Sequence, residues 1–189
     1  SGDAAAEFLT KQNRGKNIFL LGTKSLEEQL ARAGFHIVNG GGETPDSVLL
    51  GFDKTITYEK IMRACAYIVS GTPFYATHPD LVCPVENGFI PDTGSMIKMF
   101  EAATGVSPAV IGKPGKPMAD AVFSRYGFVP SETAMVGDRL GTDIAFANNS
   151  RITAVLVLSG ETNLSAYNTQ TGVIADFIYD SVTELNSEL

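Results

Sequence analysis

Two aspartates, Asp138 and Asp143, stand in the stretch MVGDRLGTDIAFANN, where an apolar run gives way to residues of helical period. A carboxylate at the end of a buried strand is costly unless something offsets its charge. Asp138 follows Gly137, and a glycine there lets another group approach closely. Open α/β sheets take ligands outside the carboxyl ends of their strands. Thr142 and Asp143 stand where the next helix is expected to start, so its first amides and its dipole would point at the same edge. An oxygen-rich pocket for a hard cation such as Mg²⁺ accounts for this pattern, because that ion takes one or two carboxylates and keeps room for substrate phosphate. The competing reading is structural: Asp138 in a loop, with Thr142 or Asp143 capping a helix.

A second motif, IGKPGKPMADAVF, places Lys113 after Gly112 at the end of another strand. Pro114 and Pro117 fix the turn before a helix whose expected core face is Ala119, Val122, Phe123 and Tyr126. A lysine is a compact point charge suited to a phosphate or an aspartyl phosphate. Taken alone, Lys113 reads first as a solvated turn lysine, as Lys116 does. The order strand-Lys, helix, strand-Asp, helix favours the first reading, since it sends both charges to one sheet edge.

The elements that must position these groups alternate along the chain. Apolar runs of strand length and segments of helical period predict an α/β fold with a largely parallel sheet. Asp3 can cap a helix through Gln12, and NIFLLG (17–22) reads as a strand. Ser25 to Glu28 reads as a capping box opening a helix that ends at Gly34. A short strand at 36–38, a turn over NGGGETPD (39–46) and a buried-type strand SVLLGF (47–52) follow. A helix from Thr57 has Ile61, Ala64, Cys65 and Ile68 as its core face. The strand FYAT (74–77) leads into HPDLVCPVENGFIPDTGS, whose prolines and glycines predict an irregular functional loop. Met96, Met99, Phe100 and Ala103 mark the next helix face. From Ser107 the units are shorter: strand AVIGK, a helix from Met118, strand TAMVGD, a helix from Thr142, strand TAVLVL, strand DFIYD and a helix from Val182.

The chain has 189 residues, a net charge of −7, 44% apolar residues and two cysteines. Its pI is about 4.8. No basic run offsets the acidic excess, which argues against a nucleic-acid or anionic-membrane surface. Cys65 and Cys83 match no metal-ligand spacing and are too few for a disulfide scaffold, so free thiols and a cytoplasmic setting are expected. No apolar run reaches the roughly 18 residues of a membrane span.

Together, IGKP, MVGDRLGTDI and AVLVLSGET resemble the haloacid dehalogenase (HAD) superfamily of phosphatases, in its NagD-like branch of 4-nitrophenylphosphatases and phosphoglycolate phosphatases. SGDAAAEFL, GFDKTITYEK and ATHPDLVCPVENGFIPDTGS are similar to that branch's large cap, so the likeness runs nearly end to end. It implies an α/β cap of the C2 type over residues 1–106, and over 107–189 the C-terminal part of a HAD-like core with a Rossmann-type parallel sheet. It further implies that Lys113 orients phosphate, that Asp138 is a Mg²⁺ ligand and that Asp143 is a supporting carboxylate at the metal. His78, Asp80, Cys83 and Pro84 would bind substrate from the cap loop. The implied activity is Mg²⁺-dependent hydrolysis of small cytosolic phosphate monoesters, of the 4-nitrophenyl phosphate, phosphoglycolate or sugar phosphate type, through an aspartyl phosphate. A homodimer through the cap would also fit, since such caps often pair.

The family's nucleophile is an aspartate in an Asp-x-Asp motif near the chain start, and no Asp-x-Asp occurs in this sequence. The sequence is therefore expected to begin where the cap begins, without about two strand-helix units, on the order of 60 residues. On this reading the chain alone hydrolyses little, and the strand TAMVG, next to which the nucleophile strand would lie, has an open edge. The alternative is a non-catalytic α/β module that binds a phosphorylated ligand or a protein partner.

Overall fold

Strands buried on both faces read as continuous apolar runs, and the first half of the chain contains several. The computed structural model describes residues 2–38 and 42–188. Two compact units divide the chain, Ser1–Gly112 and Lys113–Leu189.

The first unit runs α1 (Gly2–Gln12), β1 (Asn17–Leu21), α2 (Lys24–Arg32), β2 (His36–Ile37), β3 (Ser47–Leu50), α3 (Tyr58–Val69), β4 (Phe74–Ala76), β5 (Val82–Val85), β6 (Gly88–Pro91), α4 (Thr93–Thr104) and β7 (Ala109–Val110). Its main sheet is parallel, in the order β2-β1-β3-β4-β7. Strand side chains alternate between faces, which sorts the core into two clusters. Ile18, Leu20, Leu49 and Tyr75 meet Ala5, Ala6 and Leu9 of α1 and Leu30 of α2. Phe19, Leu21, Val48, Leu50, Phe74 and Ala76 meet Ala64 and Ile68 of α3 and Ile97 and Phe100 of α4. The unit is thus three-layered, with helices covering both faces of the sheet.

Several local expectations change. Thr23, not Ser25, caps α2: its hydroxyl accepts the Leu26 N–H at 3.3 Å, and Ser25 falls inside the helix. On α4 the buried face is Thr93, Gly94, Ile97 and Phe100, and Ala103 is exposed. Of the turn expected over 39–46, residues 39–41 lie outside the described residues. The loop expected to be irregular contains a hairpin, with β5 antiparallel to β6 and Pro84 opposite Phe89. Proline is tolerated there because each strand of a lone ribbon has an edge where a missing N–H breaks no ladder bond. Because β7 pairs with β4, the first unit extends past the expected 106/107 boundary to Gly112.

The second unit contains α5 (Lys116–Tyr126), β8 (Ala134–Gly137), α6 (Ala145–Ser150), β9 (Thr153–Val157), α7 (Leu164–Thr169), β10 (Phe177–Tyr179) and α8 (Val182–Glu188). Its sheet is parallel, ordered β10-β9-β8. Ala154 and Leu156 of β9 pack with Ala119, Ile144, Phe146 and Ala147. Tyr126, expected in the core of α5, is 61% exposed and stacks on Phe128. The helix expected from Thr142 instead opens with a π-helical turn, Leu140–Ile144, and regular α-helix starts only at Ala145. Among the described residues β8 is an edge strand, and Val136 on it is 39% exposed.

Candidate functional site

Parallel strands bring their carboxyl ends to one edge, and the pairing of Gly137 with Leu156 puts the segment after β8 beside the segment after β9. Asp138 leaves β8 at that edge. Its Oδ2 accepts the Glu161 N–H at 2.7 Å, and its backbone carbonyl accepts the Thr162 N–H at 3.2 Å. Gly160 lies so close that a Cβ there would stand 2.1 Å from Asp138 Oδ2, so any side chain at this position would push the carboxylate aside. Oδ1 of Asp138 accepts no hydrogen bond among the described residues. A carboxylate with one oxygen committed to a backbone donor and the other open is a donor suited to a hard divalent cation. These residues therefore fit Mg²⁺.

The close approach expected at Gly137 is made by Asp143, whose Cβ would lie 2.4 Å from a Cβ at residue 137. The π-helical turn brings this about. Ile144 N–H bonds the Arg139 carbonyl at 3.1 Å, and the widened turn folds the Asp143 side chain back toward the strand end. Asp143 Oδ2 then accepts the Arg139 N–H at 3.3 Å and Oδ1 accepts from Lys113 Nζ at 2.5 Å. The Asp143 side chain is 8% exposed and that of Lys113 33%. Lys113 and Asp143, thirty residues apart, thus form a half-buried ion pair, and both oxygens of Asp143 are occupied by these donors. Asn149 Nδ2 donates to the Pro114 carbonyl at 2.9 Å and ties the lysine's turn to α6. Asp143 and Lys113 are brought together as one pair; Arg139, Gly160 and Glu161 join Asp138, and only the Gly in SGET hinted at them.

In the first unit, His78 follows β4. Its Nδ1 is 2.9 Å from Thr77 Oγ1, and its Nε2 is 2.9 Å from Asp92 Oδ1. Asp92 is buried and also caps α4 by accepting the Thr93 N–H at 2.6 Å. Ligand-type atoms of His78, Asp80 and Asp92 lie within 4.8 Å of one another. Asp92 joins the expected His78 and Asp80, and the signal that could have found it is its place as an acidic N-cap before TGSMIKMF. Cys83 and Pro84 sit on β5, with Cys83 opposite Ile90.

The two thiols differ. Cys65 packs against the core between sheet and α3, and burial pushes its thiol pKa up, which suppresses the reactive thiolate. Cys83 lies on a two-stranded ribbon whose neighbours Val82, Pro84 and Val85 are exposed. Iodoacetamide at pH 8 should alkylate Cys83 roughly tenfold faster than Cys65, as read by peptide mass spectrometry. Faster labelling of Cys65 would contradict the described packing of α3.

Among the described residues, no helix is long and apolar enough to cross a membrane. The HAD-hydrolase-like family profile matches residues 110–185. The acid sugar phosphatase of Staphylococcus aureus (strain MRSA252) is 35% identical over 161 residues, 85% of this chain and 61% of that protein. The structure of a 4-nitrophenylphosphatase from Thermotoga maritima superposes with a TM-score of 0.90 at 38% identity, covering 98% of this chain and 70% of the other. A glycerol phosphate phosphatase from Mycobacterium tuberculosis, solved in complex with magnesium, gives a TM-score of 0.89 at 29% identity, covering 97% and 56%. The chain spans 61% of the length of the curated relatives it matches first.

Proposed function

The chain belongs to the HAD-like hydrolases, in the branch of the NagD and 4-nitrophenylphosphatase proteins, and on that premise we propose that it is the cap and C-terminal core portion of a Mg²⁺-dependent phosphomonoester phosphatase. The observation that carries this reading is the sheet edge of the second unit. There Asp138 keeps one oxygen open, while Lys113 is held by a buried carboxylate. Small phosphate esters of the 4-nitrophenyl, phosphoglycolate or sugar phosphate type are the proposed substrates, and the cytoplasm the proposed setting.

Lys113 carries three N–H donors, and Asp143 takes one. The remaining donors offer a fixed positive charge to phosphoryl oxygens. Asp143 supports the site through the lysine, and its own oxygens are engaged by Lys113 and the Arg139 amide. Asp138 supplies the metal-binding carboxylate, oriented by the Glu161 amide. Bound Mg²⁺ would neutralise charge on the transferring phosphoryl group. Residues His78, Asp80, Cys83 and Pro84 are proposed to select the organic part of the substrate. The reaction proceeds through an aspartyl phosphate, on an aspartate of the Asp-x-Asp motif that these 189 residues do not contain.

The Lys113 ammonium, with donors beyond the one given to Asp143, also fits a second reading, a non-catalytic module that binds a phosphorylated ligand. Turnover of 4-nitrophenyl phosphate with Mg²⁺ separates the two. It is measured for this chain and for a longer form carrying the relatives' Asp-x-Asp segment. Activity in the longer form alone is the expected result. No activity in either form would leave the binding module as the better reading.

A further inference from the structure

The Asp138 carboxylate is oriented by a loop, and the loop has a fastening of its own. After β9 the chain turns through Leu158 to Thr162, and each contact it makes with Asp138 is backbone to carboxylate or backbone to backbone. Such contacts hold only while the loop keeps its position to within a few tenths of an ångström. Gly160 is pressed against the carboxylate, and Glu161 N–H donates to it. Immediately beside each of these groups stands one end of an ion pair: the Nε of Arg139, which follows Asp138, lies 2.8 Å from Glu161 Oε2. The side chains are 32% and 65% exposed, so the pair adds little to global stability. Its placement gives it another use, because it ties the strand-end residue after Asp138 to the loop residue whose amide grips Asp138.

We propose that Arg139 and Glu161 form a strap that holds the loop after β9 against Asp138 and thereby fixes Oδ1 as the oxygen offered to a divalent cation. Both are positioning residues, acting through Asp138. The proposal rests on Asp138 being the metal carboxylate. Groups in this outer layer typically change metal affinity by about 10–100-fold when removed. Glu161→Gln keeps the backbone N–H and the side-chain size while removing the charge that Arg139 holds.

The test uses the full 189-residue chain and Mn²⁺ alone as the probe, titrated by electron paramagnetic resonance, together with amide hydrogen exchange over residues 158–162. Glu161→Gln and Arg139→Gln should each weaken Mn²⁺ binding about tenfold and speed exchange at Glu161. The double variant should be no worse than Arg139→Gln alone, because the strap is already open there. Melting temperatures that stay close to the parent's would show that the fold is not what changed. Affinity and exchange unaltered in Glu161→Gln, or fully additive losses in the double variant, would overturn the strap. Equal Mn²⁺ binding by Asp138→Asn and the parent would instead overturn the metal assignment, with the exchange data still judging the strap. Mn²⁺ bound by none of the chains would overturn both.

Discussion

Asp138→Asn, in a longer form that carries the Asp-x-Asp segment, should lose Mg²⁺-dependent turnover of 4-nitrophenyl phosphate by roughly 10²–10³-fold or more, a loss of the size seen when a preorganised electrostatic partner of the reacting group is removed. The substitution changes little in volume, and either orientation of the new amide carries a fault. With its oxygen toward the Glu161 N–H, the partner of Oδ2 in the parent, the amide NH₂ faces the cation and repels it. Turned over, it offers its oxygen to the cation as a neutral dipole and sets two N–H groups against a third donor, the Glu161 amide. The fold should survive, because Asp138 stands at the strand end and the core of this unit is built from Ala119, Ile144, Phe146, Ala147, Ala154 and Leu156. The measurement is kcat with varied Mg²⁺, beside a circular dichroism melt. Turnover within a few-fold of the parent at saturating Mg²⁺ would remove Asp138 from the metal site.

Asp138 and Lys113 were legible in the sequence because each follows a glycine at the end of an apolar run, but the expected shared sheet edge was not: β7, before Lys113, pairs with β4 in the first unit's sheet, β8, before Asp138, pairs with β9, and Lys113 meets Asp143 instead. The strands were legible too, since NIFLL and SVLL are apolar on both faces and are covered on both. What stayed hidden depends on contacts between segments distant in the chain. Nothing local in LGTDI announces a π-helical turn, yet that turn directs Asp143 to Lys113. His78 was visible as a loop residue, while its partner Asp92 lies fourteen positions on and is chosen by the closing of the hairpin. The hairpin was masked by its own composition. Pro84 and Pro91 argue against strands in a sheet interior, but a two-stranded ribbon has no interior. The turn joining β5 and β6 is Glu86–Asn87, and the paired Gly88 that follows has φ 127°, a conformation that favours glycine.

Lys113→Met should damage stability and chemistry together, and a second substitution should separate them. Removing the lysine leaves Asp143, whose side chain is 8% exposed, with the Arg139 amide as its remaining partner. Breaking a buried pair by deleting one member costs about 3–5 kcal/mol. Lys113 is one-third exposed, so water already screens part of the attraction and roughly 2–3 kcal/mol is expected. That loss is a large share of a small domain's margin and should show as a clear drop in the urea midpoint. Adding Asp143→Asn removes the stranded charge while keeping an oxygen for the Arg139 N–H, so the double variant should regain most of the lost stability. It should regain none of the turnover, which should stay about 10²–10³-fold down because the cation facing the phosphoryl oxygens is gone. Recovery of activity along with stability would mean that Lys113 merely neutralises Asp143. Loss of activity persisting in a restored fold is the result expected of a lysine that contacts the substrate.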